Sequence, residues 1–99
     1  MRLKKTEITI IKDTAKQVFG DQTEVWLFGS RVDDAKRGGD IDLLIKPEKM
    51  GESDVFKNKI TFSNQLEKGL GEQKIDVVIQ VKDDDRPIIT IAYETGIKL

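Results

Sequence analysis

The sequence predicts an α/β fold, a small mixed β-sheet packed with helices, and three observations carry that prediction. Short apolar runs alternate with longer stretches of helical periodicity. Gly or Pro stops most of the elements. No repeat, low-complexity tract or linker divides the chain, so its 99 residues, 37% hydrophobic and 35% charged, are expected to form one domain over 1–99.

The first helix is expected from about Thr6 to Phe19, where Ile8, Ile11, Ala15, Val18 and Phe19 fall at helical spacing before Gly20. Val25-Trp26-Leu27-Phe28 reads as a buried strand ending at Gly29, followed by a short helix from Ser30 to about Ala35 that Gly38-Gly39 breaks. The second strand, Asp40 to Lys46, puts Ile41, Leu43 and Ile45 on one face and Asp40 and Asp42 on the other before Pro47. A helix capped by Ser53 runs to about Leu70, with Val55, Phe56, Ile60, Phe62, Leu66 and Leu70 as its apolar stripe. The third strand, Lys74 to Val81, turns Ile75, Val77 and Ile79 inward and Asp76 outward. Asp83-Asp84-Asp85 reads as a solvated turn. Pro87 opens a last helix carrying Ile88, Ile91, Ala92 and Thr95, which Gly96 closes.

Composition removes whole classes of function. No apolar run approaches membrane-spanning length, and the basic N-terminus leads into no secretory signal. Seventeen basic against 18 acidic side chains, a net charge of -1, disfavour DNA or RNA as the main partner. Without Cys there is no disulfide, zinc thiolate or thiol nucleophile, which agrees with the cytoplasm. Without His there is no Ser-His-Asp triad and no imidazole ligand, so any metal takes oxygen donors and is hard, magnesium or manganese.

Two aspartates one residue apart on a strand point the same way, so Asp40 and Asp42 can serve a common cation. If the third strand lies beside the second, Asp76 projects from the same side and the three carboxylates converge. Such a cluster is unfavourable when empty and is relieved by a divalent cation. Gly29-Ser30 adds a close backbone approach, a helix N-terminus suited to phosphate and a hydroxyl donor. Arg31 lies near enough to neutralise phosphate charge, whereas Lys36 and Arg37 read as solvated surface. Trp26, Phe28, Phe56 and Phe62 read as core rather than nucleobase platforms.

Gly29-Ser30, nine further residues, Asp40-Ile41-Asp42, and Asp76 within Lys74-Ile75-Asp76-Val77-Val78-Ile79 resemble the nucleotidyltransferases of the DNA polymerase beta superfamily, more narrowly the minimal nucleotidyltransferases. The likeness runs from Trp26 to the end of the last helix. It implies the polymerase beta-like fold, with Asp40, Asp42 and Asp76 catalytic and holding Mg2+, two ions in all. Gly29, Ser30 and Arg31 then bind the triphosphate of ATP, and Asp76 helps activate an acceptor hydroxyl. It further implies a helical HEPN-type toxin as partner, with this chain as the antitoxin that adenylylates it, in a hetero- or homo-oligomer. Nucleotidyl transfer to a small molecule or RNA, or a non-catalytic antitoxin that only binds, are the alternatives.

Overall fold

In the computed structural model, which describes residues 3–32, 39–49, 54–71 and 73–99, helices cover both faces of one sheet. The chain runs through α1 (Lys5–Phe19), β1 (Glu24–Phe28), a single 3-10 turn (Gly29–Val32), β2 (Ile41–Lys46), α2 (Val55–Leu70), β3 (Ile75–Ile79), α3 (Pro87–Thr95) and β4 (Ile97–Lys98). The strands order as β3-β2-β1-β4, with β1 antiparallel to β2 and β4, and β2 parallel to β3. A parallel pair needs a long crossover, and α2 supplies it. Among the described residues this is a small α+β architecture, a four-stranded mixed sheet with three helices.

Strand alternation sorts the core into two layers. Val25, Leu27, Ile41, Leu43, Ile45, Val77 and Ile79 face α1 and α2, where Ile11 and Ala15 of one helix and Phe62 and Leu66 of the other are buried at four-residue spacing. Phe19 meets Phe62 edge to face, with ring centroids 5.5 Å apart. The opposite face presents Trp26, Phe28, Leu44 and Val78 to Ile88, Ile89, Ala92 and Tyr93 of α3. Burying a Leu, Ile or Phe side chain contributes about 1.5–3 kcal/mol. The fully buried Leu27, Ile41, Leu43, Leu44 and Ile45 therefore make β1 and β2 the rigid centre of the domain. Among the described residues no helix is long and apolar enough to cross a membrane.

Four expectations change. After Gly29 comes one 3-10 turn rather than a longer helix, and Ala35, Lys36, Arg37 and Gly38 lie outside the described residues. The expected cap Ser53 also lies outside them; Asp54 holds the cap position without a side-chain hydrogen bond. Phe56 and Ile60 fall off the buried line of α2 and are 75% and 46% exposed, and on α3 it is Ile89 rather than Ile91 that is buried. Finally, β4 follows Gly96 and pairs Trp26 with Lys98 and Leu27 with Ile97, two residues too short to show a period.

Candidate active site

β1 leaves the sheet at Gly29, whose φ is +78°. Only glycine takes that conformation at little cost, and here space demands it too. A Cβ on Gly29 would lie 2.1 Å from Asp42 Oδ2, so the Asp42 carboxylate fills the volume above the Gly29 backbone. Strand pairing brings them together, because Phe28 stands opposite Asp42 in the β1–β2 register.

On the other side of β2, the parallel register sets Asp42 directly beside Asp76. Neighbouring strands lie about 4.8 Å apart, so two side chains in register on one face must interact. Asp42 is pushed above the usual carboxylate range by burial first, then by the negative charges of Asp76 and Asp40 and the nearness of the Asp76 carboxyl, with Lys74 partly offsetting them. Asp40 sits one residue before β2, and its Oδ2 lies 3.5 Å from Lys74 Nζ. The structure thus brings Asp42 and Asp76 together, with Asp40 next to them in an exposed ion pair. Among the described residues no group of three carboxylates is close enough to cage an ion unaided. The donor set still fits a hard divalent cation. It is all oxygen, partly buried and charge-strained, and a cation would relieve it.

Ser30 and Arg31 follow within the 3-10 turn, both partly buried. Arg31 Nε donates to Gly39 O at 3.3 Å and its Nη2 to Gln73 Oε1 at 3.3 Å, so its guanidinium spans the segments that lead into β2 and β3. Gln73 Nε2 in turn donates to Glu7 Oε2 at 3.1 Å and to Leu70 O at 3.0 Å. Burial works against the Glu7 charge, yet hydrogen bonds from the Lys4 backbone and Gln73 and the charges of Lys4 and Arg31 hold its carboxyl below the usual range. Glu7, Gln73 and Lys74 belong to no site motif of the sequence on their own. Lys74 had a local signal, a cation two positions before Asp76. Glu7 and Gln73 had none, because 66 positions separate them.

The acidic turn is not simply solvated. Asp83 and Asp85 are exposed, but the Asp84 side chain is 2% exposed and accepts from Arg86 Nε at 2.9 Å, Arg86 Nη2 at 2.7 Å and the Val81 N–H at 3.1 Å. Arg86 Nη2 also donates to Ile79 O at 2.8 Å. The pair therefore satisfies backbone groups at the end of β3 and fixes the turn into α3. Tyr93 is partly buried, with its hydroxyl donating to Gln80 and its ring edge-on to Trp26 at 5.0 Å.

The mixed sheet carries paired aspartates on adjacent strands, with a glycine turn against one of them. The chain belongs to the polymerase beta nucleotidyltransferase family, whose sequence model matches residues 8–99. Such domains generally draw on a nucleoside triphosphate and a divalent metal ion. No curated protein matches the chain.

Proposed function

We propose that this chain transfers a nucleoside monophosphate, AMP from ATP, to a hydroxyl on a partner protein, a HEPN-type helical toxin that it neutralises as antitoxin. The observation that carries the transfer chemistry is the Asp42–Asp76 pair, in register and set against Gly29. The resemblance to minimal nucleotidyltransferases supplies the acceptor and the partner.

In this reading Asp40, Asp42 and Asp76 hold magnesium, which supplies Lewis-acid neutralisation of the triphosphate charge. Gly29 leaves room for the Asp42 carboxylate beside the turn, and Ser30 and Arg31 supply side-chain donors for the phosphates. Asp76, exposed at the sheet edge, accepts the proton of the acceptor hydroxyl as its oxygen bonds to the α-phosphorus and the bond to pyrophosphate breaks.

The test is incubation with α-labelled ATP, magnesium and the product of the neighbouring gene, for wild type and Asp42→Asn. Label on the partner that disappears with Asp42→Asn is the expected result. Partner binding and neutralisation without label would assign a binding antitoxin instead. Label on a small molecule or RNA would keep the reaction and replace the acceptor. Undiminished labelling by Asp42→Asn would overturn the catalytic assignment.

A further inference from the structure

Gln73 has two amide hydrogens, and both are directed, one to Glu7 Oε2 and one to Leu70 O. Its Oε1 is left a single orientation, toward Arg31 Nη2. A flipped amide would set its NH2 against the guanidinium and its oxygen against the Glu7 carboxylate, so the chemistry of the neighbours fixes which way it points. Glu7 is anchored in turn, because its Oε1 accepts the Lys4 N–H at 2.9 Å as part of the α1 cap. The chain Lys4 backbone, Glu7, Gln73, Arg31 thus runs from the first turn of α1 to the phosphate-binding turn. Through Nε and Gly39 O, Arg31 carries it on to the residue before Asp40. Three segments of the site, the turn after β1, the approach to β2 and the approach to β3, are laced together by this one guanidinium.

We infer that Glu7 and Gln73 are positioning residues that orient Arg31 for the nucleotide's phosphates, so that the start of α1 sets nucleotide affinity from outside the carboxylate site. The inference rests on the nucleotide-binding reading above. A long, rotamer-rich side chain binds phosphate best when its geometry is set before the ligand arrives, and a planar guanidinium braced on two edges is set in that way. Residues in this supporting role change affinity by about 10- to 100-fold when removed.

The test is calorimetric titration of ATP with magnesium chloride into wild type, Gln73→Leu, Gln73→Glu and the double variant Glu7→Gln/Gln73→Glu, with a thermal melt and a transfer assay on each. Gln73→Leu is expected to weaken ATP about tenfold while the melting temperature moves only a few degrees. Gln73→Glu faces two carboxylates across the contact and weakens ATP as well. The double variant recovers part of that affinity, since the new amide at position 7 then donates to the new carboxylate at position 73, which faces Arg31, while the bond to Leu70 O stays lost. The relay is overturned if Gln73→Leu binds ATP as tightly as wild type, if affinity merely follows the folded fraction, if the double variant fails to recover, or if wild type does not bind ATP. Wild type that binds ATP in this relay-dependent way but transfers nothing to any acceptor overturns the transferase reading and leaves the relay standing.

Discussion

Gly29 and Asp42 compete for one volume: the carboxylate of Asp42 lies where any side chain on Gly29 would begin, 2.1 Å from the position of its Cβ. The glycine is therefore a condition for where a candidate metal ligand sits, in addition to its part in the turn. Gly29→Ala forces Asp42 off its position, and a displacement of about 1 Å at a reacting centre costs about 100-fold in rate. Gly71→Ala is the control, since Gly71 has a φ of +80° but nothing within 4 Å of the added Cβ. Both variants are expected to lose about 1–2 kcal/mol to backbone strain. Only Gly29→Ala is expected to lose transfer activity, measured with labelled ATP; equal activities in the two variants would dismiss the steric argument.

Asp42 is destabilising in its own site. Burial and the charges of Asp76 and Asp40 raise its carboxyl above the usual range, so the folded chain holds that proton more tightly than the unfolded chain does. The penalty is absent in acid and grows as pH rises through the carboxylate range. Asp42→Asn removes a like charge and leaves an amide that can donate to Asp76. In metal-free buffer at neutral pH it is expected to melt a few degrees higher than wild type, while transfer falls by about a thousandfold. A lower melting temperature would show that the carboxylate is a structural group rather than a strained functional one.

Much of this site is legible in the sequence because period and pairing compound each other. Asp42 and Asp76 fall on the polar phase of strands whose apolar phase must face the core, and Asp40 keeps that phase one residue before β2. Once β2 and β3 lie side by side, that constraint puts Asp42 and Asp76 on one face, while the register that sets them directly abreast is seen only in the structure. Legibility ends where partners are distant or elements are very short. The bracing of Arg31 by Gln73 spans 42 positions and leaves no periodic trace. Strand β4 is two residues long, and Phe56, apolar and helical, stands mostly in solvent because the α2 face that packs is chosen by α1 and the sheet. The acidic turn misled for a similar reason, since nothing local distinguishes Asp84 from Asp83 or Asp85.

The Asp84–Arg86 pair gives a pH signature. Pairing with Arg86 above all, set against burial and helped by the Val81 and Arg86 backbone N–H groups, holds the Asp84 carboxyl far below its ordinary 3.8. A depressed carboxyl lends stability that is complete above about pH 5 and is lost as pH falls through 3.8 toward the lowered value. The stability difference between wild type and Asp84→Asn, from urea unfolding, is expected to be constant from pH 5 to 8 and to shrink below pH 4. A difference that stays flat down to pH 3 would refute this. Arg86→Ala strands the buried carboxylate and is expected to cost about 2–4 kcal/mol at pH 7.

Gly96 is held by sterics alone, since its φ of -90° is open to any residue. A Cβ there would lie 2.3 Å from Ala92 O and 2.8 Å from Leu27 O, both backbone atoms that cannot swing aside. The helix end and β1 therefore approach each other as closely as they do only across a glycine, and β4 follows from that approach. Gly96→Ala must part α3 from β1, break the Leu27–Ile97 pairing and loosen the layer in which Phe28, the residue before Gly29, is packed. The expected cost is about 1–3 kcal/mol, the range for overpacking a close contact. Faster amide exchange at Ile97 and Leu99 should accompany it, because the Leu99 N–H is bonded to Val25 O in the intact sheet. Unchanged exchange at Leu99 alongside a lowered stability would place the strain in α3 rather than in the seating of β4.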